Sequence, residues 1–318
     1  MADTTKIEWT DATWNPITGC TVLTPGCTNC YAMRLAGTRL RNHPSRRGLT
    51  TMTKAGPVWN GKVRLNDFWL DQPLKWKRPR MIFTCAHGDL FHESISYEWI
   101  DKVLAVMALT PHHTFQVLTK RAERMRDYCS GFANVGRGFD IVDQERSIVG
   151  GDEAYFRRQK RSDGEATGFT WPSRNVWLGV SCERQKEAEE RIPFLLQTPA
   201  AIRFISAEPL LGPIHLRLQT SSPSDAGVYR TVDALTGKRG HGGPCGWTPA
   251  VDRPSANLDW VIVGGESGPG FRPMQELWAS DIVEECTDAG IAVFVKQMAG
   301  KAPIPPDLLI RQFPNKQR

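Results

Sequence analysis

The sequence predicts an α/β fold, a full or partial TIM-type (β/α) barrel with long loop insertions, and three observations carry that prediction. Short apolar runs rich in β-branched and aromatic residues recur along the chain, and stretches of helical period lie between them. Polar residues able to do chemistry gather directly after the runs, where ligands sit in parallel α/β folds.

The runs cover residues 81–85, 114–118, 176–180, 202–205, 260–263 and 292–295, each the length of one buried strand. Helical period is clear over 97–109, about 184–196 and 276–289, and Gly290 supplies a C-terminal stop. Alternating units of this kind build a parallel sheet with helices outside, here a closed or partly open barrel in preference to a doubly wound sheet. Two segments, about 130–173 and 219–258, are rich in Gly, Ser, Pro and charge and lack a sustained period. They read as insertions on a single domain spanning 1–318, not as linkers.

A chain of 318 residues with 40% hydrophobic and 23% charged residues is composed like a soluble globular protein. No apolar run approaches the roughly 18 residues of a membrane span, and the first residues are too polar for a signal peptide. The expectation is a cytoplasmic protein with no membrane partner. Eight cysteines in that compartment point to metal or redox chemistry and away from a disulfide framework. The formal charge of +6 suits an anionic partner such as a nucleic acid. Basic runs at Arg39-Leu40-Arg41, Arg46-Arg47, 75–78 and 157–161 place cations near aromatics, as nucleic-acid grooves do, although solvated loops do so more often.

The strand ends offer His87 and Asp89; Lys120 and Arg121; Ser181, Cys182 and Glu183; Ser206 and Glu208; Gly264, Gly265 and Glu266; and Lys296. Strand ends meet water in any fold, which accounts for about half of them. Glu208 and Glu266 end successive strands and could serve proton transfer, a ribose hydroxyl or an ion pair.

Cys20, Cys27 and Cys30 form a C-x6-C-x2-C array bounded by Gly19 and Gly26. Three thiolates on one loop can ligate three irons of a [4Fe–4S] cluster and leave the fourth open to another ligand. Zinc, completed by Cys245 or a histidine, and three unrelated thiols are the alternatives; no C-x2-C partner occurs among the remaining cysteines.

At this array the chain resembles a known family. Asn15-Pro16 before Gly19-Cys20, with Cys27-Thr28-Asn29-Cys30-Tyr31-Ala32 after it, is similar to the cluster loop of radical S-adenosylmethionine enzymes, notably the spore photoproduct lyase-like branch. The family's usual C-x3-C-x2-C is lengthened here by three residues in its first gap. Ala86-His87-Gly88-Asp89 is similar to that branch's S-x-T-D turn, Leu118-Thr119-Lys120 to its T-K, and Gly179-Val180-Ser181 to its strand ending in serine. The resemblance implies a barrel of the radical SAM kind that binds S-adenosyl-L-methionine and is reduced by flavodoxin or ferredoxin. It implies that Asp89 accepts from the cofactor's amino group, Lys120 pairs with its carboxylate and Ser181 supports one of them, with His87, Glu208 and Glu266 nearby. The chain is also similar, over nearly its whole length, to an uncharacterised phage and prophage family with W-N-P-x-x-G-C, D-L-F-H-E, L-T-K-R, S-x-E-P-L-L-G and W-V-I-x-G-G-E-S-G, which implies a phage or prophage origin and a host cytoplasm.

Two other constellations carry less. His87, Asp89, His92 and Glu93 suggest a hydrolytic metal site, but the spacing is not H-E-x-x-H. The glycine-rich turn 264–270 lacks the G-K-[ST] of a phosphate loop and reads as a turn letting backbone approach adenosine or substrate. The functional expectation is thus a 5′-deoxyadenosyl radical acting on a nucleobase, such as modified thymidine in phage DNA. The alternative, from another class, is a zinc-stabilised nucleic-acid-binding protein without catalysis.

Overall fold

The computed structural model describes residues 5–133, 137–152, 169–221, 224, 227–243, 246, 248–250 and 256–315. Seven parallel strands form one sheet: β1 (Ala12–Trp14), β2 (Met81–Thr84), β3 (Thr114–Thr119), β4 (Val176–Ser181), β5 (Ile202–Ala207), β6 (Trp260–Gly264) and β7 (Ala292–Gln297). They stand in chain order, each paired only with its sequence neighbours, from β1 at one edge to β7 at the other. The sheet is curled but not closed, a partial β/α barrel. Unbroken order leaves no reversal of winding, so the functional end is the whole carboxyl edge.

Period-two alternation sorts the strand residues onto two unlike faces. The outer face carries aliphatic residues such as Ile82, Val117, Leu178, Val261 and Val293. On it pack α2 (Tyr97–Ala108), α3 (Ala122–Ser130), α5 (Gln185–Gln197) and α6 (Glu276–Asp288), through residues such as Val103, Met125, Ile192 and Ile282. Ser96 caps α2 by accepting from the Trp99 amide, and Gly290, at φ 68°, stops α6.

The inner face is aromatic at its amino end. Phe83, Trp177, Phe204, Trp260 and Phe294 meet Trp9 there, the Trp260 ring lying 5.7 Å from Phe204 and 6.0 Å from Trp177. The chain's last described segment covers this layer, where Phe313 lies 5.3 Å from Trp260 and the Trp260 indole donates to the Gln312 carbonyl. Gly179 makes room in the layer, since a Cβ there would come within 2.6 Å of the Phe204 ring. Moving up each strand, the inner positions turn small or polar: Leu118 gives way to Lys120, Trp177 to Gly179 and Ser181, Phe204 to Ser206 and Glu208, and Phe294 to Lys296. The half-barrel is thus dry below and polar above.

All six predicted strands are present, each within a residue or two of its expected bounds, as are the three predicted helices. Three elements go beyond those the sequence shows. A seventh strand, β1, precedes the cysteine loop; at three residues it is too short to show a period. The segment about 130–173 contains a helix, α4 (Arg137–Val149), which puts Ile141 and Glu145 in buried positions while Phe139 lies exposed, so its apolar stripe is faint. The segment about 219–258 contributes to a small antiparallel sheet of Arg217–Gln219, Tyr229–Asp233, Arg239–Gly242 and Thr248–Pro249. The basic run 157–161 and Cys245 lie outside the described residues.

Candidate functional site

Between β1 and β2 the chain forms the cysteine loop, the short helix α1 (Tyr31–Gly37) and two antiparallel pairs, Ile17–Thr18 with Arg64–Leu65 and Thr50–Thr53 with Gly56–Trp59. Gly19, at φ 98°, turns the loop where a Cβ would strike the Lys62 carbonyl at 2.2 Å, and its amide donates to the His87 carbonyl. The loop is thereby pinned to the turn after β2. Cys20 and Cys30 pack against a satellite cluster of Ala32, Met33, Ala36, Leu49 and Trp59.

Asp89, 4% exposed, is the hub of that turn. Its carboxylate accepts from the Thr119 hydroxyl at 2.6 Å, the Phe91 amide at 3.0 Å, the Lys120 amide at 3.1 Å and Arg121 Nη1 at 3.0 Å. Arg121 fans out from there: Nε donates to Glu93 at 3.0 Å, Nη2 to the Thr21 hydroxyl at 2.7 Å and Nη1 to Cys20 Sγ at 3.5 Å. One guanidinium thus joins the ends of β2 and β3 to the first cysteine.

The neighbouring strand end repeats the pattern. Glu183, with a fully buried side chain, pairs with Lys120 Nζ, accepts from Arg191 Nη1 at 3.1 Å and accepts from the Thr24 hydroxyl at 2.9 Å. Gly26 lets it lie against the cysteine loop, because a Cβ at 26 would come within 2.3 Å of the Glu183 side chain. Glu266 accepts from Asn29 at 2.8 Å and pairs with Arg272, whose Nη2 also donates to the Pro25 carbonyl. Glu208 pairs with Lys296 at 2.8 Å and accepts from the Ser206 hydroxyl at 3.1 Å.

These charges divide the three thiols. Burial and the Asp89 carboxylate push Cys20 up to about 12 against the pull of Arg121. Burial also raises Cys30. At Cys27 burial is outweighed by the Lys120 ammonium and by hydrogen bonds from the Leu23 and Thr24 amides, so its thiol falls below the ordinary range. Burial pulls Lys120 down to about 8. Among the described residues, no group of three or more His, Cys, Asp and Glu side chains could hold a metal ion.

The structure brings Cys20, Cys27, Asp89 and Lys120 into one connected network at the ends of β2, β3 and β4. One expected role changes. Asp89 offers no free carboxylate, since four donors already occupy it. Of the roles open to Glu208 and Glu266, the structure shows the ion pair, with Lys296 and Arg272 respectively. Ser181 ends β4 with its hydroxyl unpartnered among the described residues. His87 donates its amide to Asn15 and accepts at Nδ1 from Arg46 Nε at 3.3 Å; burial first, then Arg46, pushes its ring down to about 3, so it is neutral. His92 bonds to Thr21 at 2.8 Å as part of the loop's anchorage. Gly265 brings the glycine-rich turn against the chain's own Met298-Ala299 backbone, where a Cβ would lie 2.4 Å from the Ala299 nitrogen.

Arg191, Asn29 and Arg272 were invisible as partners in the sequence, because nothing in their spacing ties them to carboxylates on other elements. Glu183 and Arg121 did stand at strand ends, which is the one local signal they give.

A family model matches residues 4–305. The chain belongs to the family described as "Protein of unknown function (DUF5131)". No curated protein and no solved structure matches it.

Proposed function

We propose that this protein is a radical S-adenosylmethionine enzyme whose [4Fe–4S] cluster is held by Cys20, Cys27 and Cys30. The observation that carries the reading is the pairing of the cysteine loop with cations from the end of β3: Arg121 on Cys20 and Lys120 beside Cys27. Thiolates on a reduced cluster carry negative charge, and cations held by buried carboxylates are the fixed counter-charge such a group needs. The donor chemistry suits a cluster: a single zinc ion would draw its ligands to about 2.3 Å of one point, and no such group stands among the described residues, whereas a cube takes one thiolate at each of three irons, which three cysteines on one loop can supply. When bound, the cluster would supply an electron to S-adenosylmethionine and so generate a 5′-deoxyadenosyl radical.

The chain's own residues do the positioning. Asp89 fixes Arg121 and thereby the first cysteine, so it is a positioning residue. Lys120, paired with Glu183, would have to share its ammonium with a cofactor carboxylate, and Ser181, on the adjacent strand, offers a hydroxyl with no partner among the described residues. The aromatic layer beneath excludes water from the floor of the half-barrel.

The test is purification without oxygen, reconstitution with iron and sulfide, reduction, addition of S-adenosylmethionine and measurement of 5′-deoxyadenosine. Brown protein with turnover is the expected result, abolished by replacing Cys20, Cys27 and Cys30 with alanine and retained in Cys129→Ala. Colourless protein with stoichiometric zinc and no product would overturn the reading.

A further inference from the structure

Charge along this chain is sharply segregated. Between Asp11 and Asp67 there is no acidic residue, yet the stretch holds eight cations: Arg34, Arg39, Arg41, Arg46, Arg47, Lys54, Lys62 and Arg64. The formal charge of the whole chain is +6, so everything outside this stretch sums to −2. The structure does not compensate the excess from elsewhere. Among the described residues none of the eight makes an ion pair with a carboxylate, whereas Lys75, Lys102, Arg121, Arg184, Arg191, Arg272, Lys296 and Arg311 all do. Arg39, Arg41, Arg47, Lys54 and Lys62 are exposed.

We infer that this acid-free stretch is a binding surface for the phosphodiester backbone of a nucleic acid. Arg34, Arg46 and Arg64 donate to protein oxygens and hold the stretch together, whereas the five exposed cations make no side-chain hydrogen bond or ion pair among the described residues and repel one another, so their natural complement is a polyanion. Six of the eight are arginines, whose planar forks match phosphate oxygens in pairs. Rings suited to stacking bases stand among them. Arg64 ties the turn together by donating to the Arg47 carbonyl at 2.8 Å, His43 in that turn lies 5.5 Å from Trp69, and the adjacent Phe68 is 93% exposed. A membrane surface fits less well, since the one helix here, α1, has seven residues and turns Ala32, Met33 and Ala36 inward.

The surface borders the cysteine loop directly, through the Lys62 carbonyl at Gly19 and the Arg46 bond to His87. That a bound strand presents a base to the site rests on the proposed function; the binding itself does not.

Fluorescence anisotropy of labelled 20-nucleotide single-stranded DNA, RNA of the same sequence and the corresponding duplex, titrated with the full chain at several salt concentrations, tests the inference. Replacing Arg39, Arg41, Arg47, Lys54 and Lys62 with glutamine should weaken binding at least about tenfold near 0.1 M salt. The salt slope should fall by about 0.7 per lost contact on a single strand and about 0.9 on a duplex. The control carries five exposed cations from elsewhere changed to glutamine (Lys186, Arg230, Lys238, Arg239 and Lys301) and should bind like the parent. Unchanged binding by the first variant, equal loss in the control, or capture by phosphatidylserine vesicles and not by nucleic acid would each overturn the inference. The readout needs no cluster, so the result stands or falls apart from 5′-deoxyadenosine formation.

Discussion

The strand-end network and the acid-free stretch 12–66 lie side by side and treat charge in opposite ways. At the strand ends every carboxylate has a cation: Asp89 with Arg121, Glu183 with Lys120 and Arg191, Glu208 with Lys296, Glu266 with Arg272. In the stretch, eight cations have no carboxylate among the described residues. Buried charge left unpaired costs several kcal/mol, so the interior must balance itself, whereas exposed charge is screened by water and salt and can be held for another molecule. Charge in the first region holds the fold; in the second, Arg34, Arg46 and Arg64 are held by protein oxygens, and the five exposed cations Arg39, Arg41, Arg47, Lys54 and Lys62 are free for function.

The comparison can be broken most decisively at Glu183. Glu183→Ala strips the counter-charge from two cations at once and should cost about 3–5 kcal/mol in urea unfolding; a loss below about 1 kcal/mol would show that Lys120 and Arg191 find other partners. Gly179→Ala should follow at about 1–3 kcal/mol, because the new methyl meets the Phe204 ring at 2.6 Å. Phe204→Leu in the same chain should recover part of that loss, a coupling that independent sites would not show.

Next comes a pH effect on the pinned loop. His87 is held neutral down to about 3, while the unfolded ring titrates near 6.5. Between those values the unfolded chain binds the extra proton. Stability from this group is therefore full above about pH 6.5 and is lost as pH falls toward 3, with a slope approaching about 1.4 kcal/mol per pH unit. His87→Gln should flatten the stability–pH curve in that window by up to one proton, and an unchanged slope would place the titration elsewhere. The smallest effect belongs to the stretch: Arg39→Gln, Arg41→Gln and Arg47→Gln together should leave stability within about 0.5 kcal/mol of the parent. A larger loss would mean that these cations serve the fold after all.

The sequence by itself determined the six long strands, the three principal helices and the gathering of polar residues at strand ends, because each is a local pattern of period 2 or 3.6 read over a few residues. It also showed that residues 12–66 hold no acid, a matter of counting. Only the tertiary structure decided which charges are paired. Arg121 reaches Cys20 across 101 positions, Asn29 reaches Glu266 across 237, and Thr24 reaches Glu183 across 159. Such contacts depend on which strand ends the open sheet sets side by side, and no short-range pattern encodes that. The same holds for Asp89, whose place at a strand end was legible but whose four donors were not. A carboxylate's availability depends on what folds around it.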